Sequence, residues 1–446
     1  MKRLSWLIIL ITLTVSIALP CFGRSEGTVK RVLDNGLTVV VKPEPGNGLV
    51  AIAAMVRVGV GQESIQTAGL GNFVSRLLLA STRAKSAEQV ASIADSLGGN
   101  IGAEWERDLT SIRTVTTSTG FDRTMNLIGE CLAEANFEPQ WVEHGRGDLL
   151  AYIKSKSSDP FDDAYSDLRQ LLYEDNGYRR PKSVSERAIT LATPQDLRRY
   201  FAMYYPPNNI VLSIAGDVTA DRAIDRVRRA FAGVIARKLP IDRGVPNETL
   251  KESKRKISES RSNTGYLLAG WLAPRAGSED YPAMAVAANA LGGGKGSLMF
   301  QDLRQKQGLG YEIGVIYPKL RYQSHLVAYM ITDPYKNAES GSTAQATLEK
   351  SEDELMKLVE RLKTRPLSDK ELQRAKGYTI GTYALSHQHL LDRAVLLGWS
   401  ETIGLGWEFD VNYADMIDKV TAADVQRVAN KYFANRATIV LVPKRM

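Results

Sequence analysis

The sequence predicts an α+β protein of two similar halves, each with a mixed or antiparallel sheet packed against helices. The main observation is an internal repeat in which a helix, an aromatic pair, a polar turn and a strand close the first half and recur at the chain end. The matched positions are Asp196, Tyr204, Tyr205 and Val211, and then Asp424, Tyr432, Phe433 and Ile439. Because the two copies of this unit lie so far apart in the sequence, they indicate duplicated domains rather than a short-period solenoid. The length of 446 residues, 44% of them hydrophobic, provides two sizeable cores.

The first residues have the order of an export signal. The basic residues Lys2 and Arg3 precede an apolar run over residues 6–19, and small residues precede a cut after Gly23. We therefore expect residues 1–23 to be a signal peptide and the mature chain to be periplasmic. No second apolar run of that kind follows in the sequence, so we expect no stable membrane anchor after cleavage.

The first half is predicted to alternate strands and helices. In chain order we expect a hairpin over 28–42, a strand over 50–60, a helix over 67–79, a helix capped by Ser86 and Gln89, strands over 101–105 and 110–117, helices over much of 121–173, a helix over 194–204 and a strand over 210–215.

The domain boundaries follow from composition. Prolines and clustered charge predict a linker over 239–257, between a first domain over 24–238 and a second over 258–446. The second domain opens with an apolar strand over 265–272 that echoes the strand over 50–60. The net charge of +7 is mild and spread along the chain, so it does not predict nucleic-acid binding.

The segment 291–311 carries the strongest candidate site. Three glycines open it: Gly292, Gly293 and Gly294. An amphipathic helix follows, with Arg304 late in it, and glycines then break the helix just before Tyr311 opens a strand. A chain that folds back there aims a guanidinium and a phenol into one cavity. Both groups can stabilise a developing oxyanion.

Other interpretations of this segment need no catalytic role. An arginine near a helix C-terminus interacts favourably with the helix dipole, and a tyrosine is common at the start of a strand. A phosphate-binding loop would need G-x-x-x-x-G-K-S/T after a strand. Here Lys295 is separated from Ser297 and follows a helical segment, so the pattern does not predict nucleotide binding.

Two α+β halves, a charged linker and this glycine, arginine and tyrosine segment together resemble the insulinase/pitrilysin-like metallopeptidases, the inverzincins, whose zinc motif is H-x-x-E-H. Three shorter stretches add to the resemblance: Val56-Arg57-Val58-Gly59 ahead of Gly69-Leu70-Gly71, Ser158-Asp159-Pro160, and Tyr204-Tyr205-Pro206-Pro207-Asn208. The resemblance covers nearly the whole mature chain and implies that the two halves form a clamshell.

The zinc motif itself is degenerate. In active members it directly follows the G-L-G stretch, and here the two histidine positions are Asn72 and Arg76 while the glutamate position is Ser75. The resemblance places the third ligand position near Tyr152. Zinc requires His, Cys or carboxylate donors. We therefore expect no metal and no other cofactor in this chain.

The remaining candidate ligands do not form a metal motif. The four histidines are His144, His325, His387 and His389. Only the last two are closely spaced, and on a helix they would point to different faces. Signal cleavage would leave Cys131 as a single cysteine in an apolar helical run, where we expect it to be a core residue.

The resemblance also implies a partner. In relatives made of two different subunits, one subunit carries H-x-x-E-H and the other lacks it but keeps an Arg and a Tyr that reach the bound peptide. By that resemblance Arg304 and Tyr311 complete the active site of a homologous zinc-bearing partner. The alternative hypothesis is a pseudo-peptidase that binds peptides or assists assembly without proteolysis. An autonomous enzyme of unrelated chemistry has only the glycine loop in its favour.

Overall fold

The computed structural model describes residues 27–64, 67–98, 100–156, 159–180, 186–242, 244–260, 262–335 and 343–444. The predicted signal peptide lies outside the described residues. None of the described helices is both long enough and apolar enough to cross a membrane.

The first half contains the predicted strands and helices and two further helices, over 186–191 and 220–230. Its strands are β1 (Val29–Val32), β2 (Thr38–Pro43), β3 (Leu49–Val56), β4 (Gly102–Trp105), β5 (Thr110–Thr117) and β6 (Ile210–Gly216). Its helices are α1 (Leu70–Leu77), α2 (Ala87–Ser96), α3 (Phe121–Glu134), α4 (Pro139–Lys156), α5 (Pro160–Leu172), α6 (Glu186–Leu191), α7 (Pro194–Tyr204) and α8 (Ala220–Ala230).

The second half repeats this composition. Its strands are β7 (Lys254–Ser260), β8 (Gly265–Ala273), β9 (Glu312–Ile316), β10 (Ser324–Thr332) and β11 (Ala437–Pro443). Its α-helices are α9 (Tyr281–Gly292), α10 (Ala344–Thr364), α11 (Asp369–Leu385), α12 (Leu390–Thr402), α13 (Glu408–Asp418) and α14 (Ala422–Tyr432), and a π-helix spans Met299–Lys306.

The two sheets have the same pairing pattern, which confirms the predicted pair of α+β halves. The first sheet has the order β1-β2-β6-β3-β5-β4, and the second has the order β7-β11-β8-β10-β9. In each sheet the closing strand pairs in parallel with one neighbour, β2 or β7, while the other pairs are antiparallel. The first sheet differs only by the additional edge strand β1.

The repeated closing unit is built by the same local contacts in both halves. Thr193 caps α7 and exchanges hydrogen bonds with Asp196, and Thr421 and Asp424 form the same capping box on α14. A capping box satisfies backbone N–H groups that have no partner within the helix. The buried strands β6 and β11 then follow at the matched positions.

Strand β7 begins inside the segment that the sequence assigns to the linker. Its charged residues suggest a solvated connection, but Lys254–Ser260 pair with β11 along the whole strand. An edge strand can keep its charged side chains in solvent while its backbone completes the sheet. The side chains of Lys256 and Arg255 form ion pairs with Asp167 on α5 and Glu349 on α10.

Each half contributes one helix to the other half's sheet. Helix α5 of the first half packs on β8 and β11, and α12 of the second half packs on β3 and β6. Glycines allow both contacts: a Cβ on Gly270 would lie 2.8 Å from Leu168, and a Cβ on Gly398 would lie 2.8 Å from Ser213. The two halves are therefore interlocked by helices that lie on each other's sheets.

Candidate functional site

The glycine-rich loop joins α9 to the π-helix and allows close packing against α11. Gly294 has φ +70°, a conformation that favours glycine, and a Cβ there would collide with the ring of Tyr378. A Cβ on Gly296 would lie 2.7 Å from the side chain of Arg374. The glycines at these positions are thus required by the turn and by the side chains of α11.

The helix that the sequence predicts after this loop is a π-helix, Met299–Lys306, a form that is rare and often found at functional sites. Gly308, two residues after the end of this helix, has φ +67°. The N–H of Leu309 then donates to the carbonyl of Leu303 at 2.9 Å, and this bond turns the chain back beside the helix. Both leucines are buried and anchor the turn.

Arg304 and Tyr311 lie on the two sides of this turn, and both are exposed. The guanidinium of Arg304 lies 5.1 Å from the ring centroid of Phe300. Tyr311 is 51% exposed, and its backbone N–H donates to the carbonyl of Ile331, which fixes its backbone at the edge of the second sheet. Within the described residues neither side chain has a hydrogen-bonding or ion-pair partner.

The degenerate zinc motif lies on α1, against α4. Asn72 and Ser75 are buried, and the Ser75 hydroxyl donates to the Asn72 carbonyl at 2.8 Å. The guanidinium of Arg76 stacks 4.7 Å from the ring centroid of Tyr152, on α4. The structure therefore brings together two positions that the resemblance assigns to metal ligands, and a cation–π contact joins them.

These residues do not fit a zinc ion. An amide, a hydroxyl bonded to the backbone, a guanidinium and a phenol offer none of the His, Cys or carboxylate donors that zinc requires. Among the described residues no three His, Cys, Asp or Glu side chains form a group that could hold a metal ion.

The buried carboxylate of Glu63 contacts the start of α1, and the sequence analysis did not identify this residue. Its two oxygens accept the N–H groups of Gly69 and Gly71, at 3.0 and 2.8 Å. Burial raises the pKa of Glu63 to about 7, against the lowering effect of these hydrogen bonds and of Arg180. A glutamate a few residues before the G-L-G stretch is the only local signal, and it does not reveal a helix contact.

His325 is fully buried between two tyrosines that come from the first half. Tyr173 donates its hydroxyl proton to the Gln323 carbonyl at 3.0 Å, so it accepts from Nδ1–H of His325 at 2.9 Å. Nε2 then accepts the Tyr165 hydroxyl proton at 2.6 Å. Burial lowers the pKa of His325 to about 3, so the imidazole is neutral and structural.

His387 and His389 do not act as a pair. His387 lies 2.9 Å from Asp410, whose hydrogen bond raises the pKa of the imidazole, whereas His389 is the N-cap residue of α12. Beside Asp410 the ammonium of Lys319 lies 4.2, 5.7 and 5.4 Å from three ring centroids, those of Tyr383, Trp399 and Tyr413. Burial lowers the pKa of Lys319 to about 8.

Of the other predicted candidates, His144 is exposed and lies 3.6 Å from Asp148 on α4. Cys131 is buried in the core of the first half, as predicted, and burial raises the pKa of its thiol to about 12.

Two family sequence models match this chain. The model of insulinase, peptidase family M16, matches residues 38–181, and the model of the peptidase M16 inactive domain matches residues 192–378. Together they cover most of both halves.

Similar proteins match over nearly the whole chain. An uncharacterized zinc protease of Streptomyces coelicolor is 25% identical, covering 93% of this chain and 90% of its own. One of Bacillus subtilis is 22% identical, covering 92% and 96%. Among solved structures, a protease from Helicobacter pylori has a TM-score of 0.82 at 20% identity, over 93% and 99% of the two chains. A peptidase M16 inactive domain from Pseudomonas fluorescens has 0.83 at 18% identity, over 94% and 98%.

Proposed function

The chain belongs to peptidase family M16, the insulinase family, and on that premise we propose that it is the non-catalytic subunit of a heteromeric periplasmic zinc metallopeptidase. In this proposal a homologous partner with an H-x-x-E-H motif holds the zinc. This chain contributes Arg304 and Tyr311 to the peptide bound there, and it cleaves nothing alone.

The observation that carries the proposal is the exposed surroundings of these two side chains. A polar side chain with a structural role is usually buried and paired within the fold. Arg304 and Tyr311 instead project from one glycine-terminated turn into solvent, with no polar partner among the described residues. Both remain in the family's spacing although the zinc-binding positions on α1 have lost every donor.

The chemistry available to the pair suits peptide cleavage. The guanidinium of Arg304 can donate in parallel to oxygens of the substrate backbone. The phenol of Tyr311 can donate to the oxygen on which charge develops during attack on the peptide bond. Neither side chain binds a metal ion or activates water in these roles, so in this proposal the pair acts together with a catalytic centre supplied by another subunit.

The periplasmic location is supported by the order of residues 1–23, in which basic residues, an apolar run and small residues follow one another.

The test is recovery of the partner. A tagged form of this chain, expressed with its own first 23 residues in its native host, should co-purify with a chain that carries H-x-x-E-H, and an unrelated tagged periplasmic protein should not. Peptide cleavage should appear only when the two chains are combined. If the tagged chain purifies without such a partner and still binds peptides, the alternative hypothesis of a pseudo-peptidase is correct.

A further inference from the structure

A cavity in the first half has the composition of a binding site. It has a volume of about 350 Å3 and lies between the end of α3, helix α7 and the loop that follows α8. Three arginines line it, Arg83, Arg198 and Arg237, and the acidic residue in the lining is Glu134. The lining therefore has a net charge of +3 − 1 = +2.

Two of the arginines are each anchored by one hydrogen bond, and none of the three is neutralised. Arg198 donates to the carbonyl of Phe137 at 3.0 Å, and Arg237 donates to the carbonyl of Ala202 at 3.5 Å. In the part of the chain that the structure describes, neither these two nor Arg83 forms an ion pair. A guanidinium has five N–H donors, so most donors of this cluster are available to an anionic ligand.

Beside the charges the lining includes the partly exposed ring of Phe201, which packs on the buried residues Phe137 and Tyr205. The ring of Phe201 lies 5.6 Å from that of Phe137 in an edge contact and 4.8 Å from that of Tyr205 in a stacked contact. Pro206 and Pro207 extend the apolar lining. The volume of this cavity is at the lower end of the range that is typical of ligand-binding sites.

The loop that carries Arg237 is fixed by asparagines. The side chain of Asn208 accepts the backbone N–H of Arg237 at 3.1 Å and donates to its carbonyl at 2.9 Å. Asn35 donates to the carbonyl of Val234 at 3.2 Å, and Gly233 turns the chain with φ +80°. A preformed site loses less conformational entropy when a ligand binds.

We propose that this cavity binds the C-terminal end of a peptide, with the carboxylate on the arginines and an apolar last side chain against the aromatic residues. A carboxylate matches the planar donor set of a guanidinium. The aromatic lining favours an anion that is attached to an apolar group. The site is independent of Arg304 and Tyr311, which lie in the second half.

The experiment measures by calorimetry the affinity of the mature chain for each of two peptides. One is a short peptide that ends in phenylalanine with a free carboxylate, and the other is the same peptide as its C-terminal amide. The acid should bind about tenfold or more tightly than the amide, the scale for hydrogen bonds to a charged group. Equal affinity of the acid and the amide would overturn the proposal.

Variants locate the binding on the chain. Arg198→Gln and Arg237→Gln should each reduce affinity for the acid about tenfold and leave affinity for the amide unchanged. Arg199→Gln is the matched control, because Arg199 follows Arg198 on α7, is exposed and faces Asp196 at 3.8 Å. The control should bind both peptides normally. No effect of either cavity variant, or displacement of the acid by an equal concentration of inorganic phosphate, would refute the assignment.

Discussion

At the scale of single residues, the positions on α1 and α4 exclude zinc by their chemistry. Arg76 places a positive charge against Tyr152 where the resemblance expects two ligands, and Ser75 is bound to the backbone. Even a restored H-x-x-E-H would lack the third protein ligand that catalytic zinc normally needs.

We therefore predict that the purified chain binds no stoichiometric zinc and hydrolyses no peptide. The triple variant Asn72→His, Ser75→Glu, Arg76→His should still fail to bind zinc tightly, whereas addition of Tyr152→Glu should create binding. Metal analysis after dialysis is the measurement. One tightly held zinc per wild-type chain, with hydrolysis that a chelator abolishes, would contradict the prediction.

A second residue-scale prediction concerns His325. Its folded pKa of about 3 lies below the unfolded value of about 6.5, so the unfolded chain binds a proton that the folded chain refuses. The free energy of unfolding should therefore fall as pH decreases from about 6.5 towards 3. From this one group we expect a loss of about 2 kcal/mol between pH 7 and pH 5.

The measurement is urea unfolding at both pH values. His325→Gln should remove this part of the pH dependence because glutamine does not titrate. His144→Gln, which replaces an exposed histidine, is the control and should unfold with the wild-type pH dependence. An identical slope in wild type and His325→Gln would show that the imidazole is not held neutral.

The residues that the sequence analysis identified and those that it missed differ in the kind of information needed to find them. Arg304 and Tyr311 are separated by one turn, so local spacing was enough to place them on its two sides. Only the family resemblance placed Arg76 and Tyr152 at one site. Local spacing could not predict their contact, because the two residues lie on different helices. His325 gave no signal: a single histidine in an apolar strand does not reveal tyrosines that come from the other half.

At the scale of elements, the exchanged helices α5 and α12 were not predictable from pattern alone. Hydrophobic periodicity indicates which face of a helix is buried but not which sheet covers it. The repeat predicted two halves correctly. What it could not predict is that each half completes the other half's core, since that depends on close approach at Gly270 and Gly398.

This contact gives an element-scale prediction. Gly398→Ala should destabilise the protein by about 1–3 kcal/mol, because the added methyl collides with Ser213 and Met55 on the first sheet. The matched control is Gly377→Ala on α11, where an added Cβ meets nothing within 4 Å. That change should stabilise the helix by about 0.5–1 kcal/mol. Denaturant unfolding measures both, and a stabilising Gly398→Ala would show that α12 does not pack closely on the first sheet.

At the scale of the whole molecule, the two halves are interlocked, and the turn that carries Arg304 and Tyr311 is part of this single unit. Because α5 and α12 lie on the opposite sheets, each half's core includes a helix from the other half. A partner that meets the second half therefore engages a surface supported by both. The proposed function needs this rigidity, since contacts to a developing charge act best when they are preorganised.

The proposed location gives a further prediction for the whole chain. The mature protein should begin near Arg24, because the small residues up to Gly23 fit a cleavage site after an apolar run. N-terminal sequencing of the protein from the periplasmic fraction checks this. Recovery of the chain from the membrane fraction with residues 1–23 intact would identify that segment as an anchor.

The central claim is that Arg304 and Tyr311 complete the site of a partner, and turnover by the reconstituted heteromer tests it most directly. Tyr311→Phe deletes one hydroxyl and should lower kcat about 10²–10³-fold, the scale for one oxyanion donor. Arg304→Lys keeps the charge without the planar fork and should act mainly on KM. Tyr266→Phe, a change at a half-buried tyrosine elsewhere in the second half, should cleave at the wild-type rate. If Tyr311→Phe and Arg304→Lys assemble normally by sizing and also cleave at the wild-type rate, the pair is structural and the account is wrong.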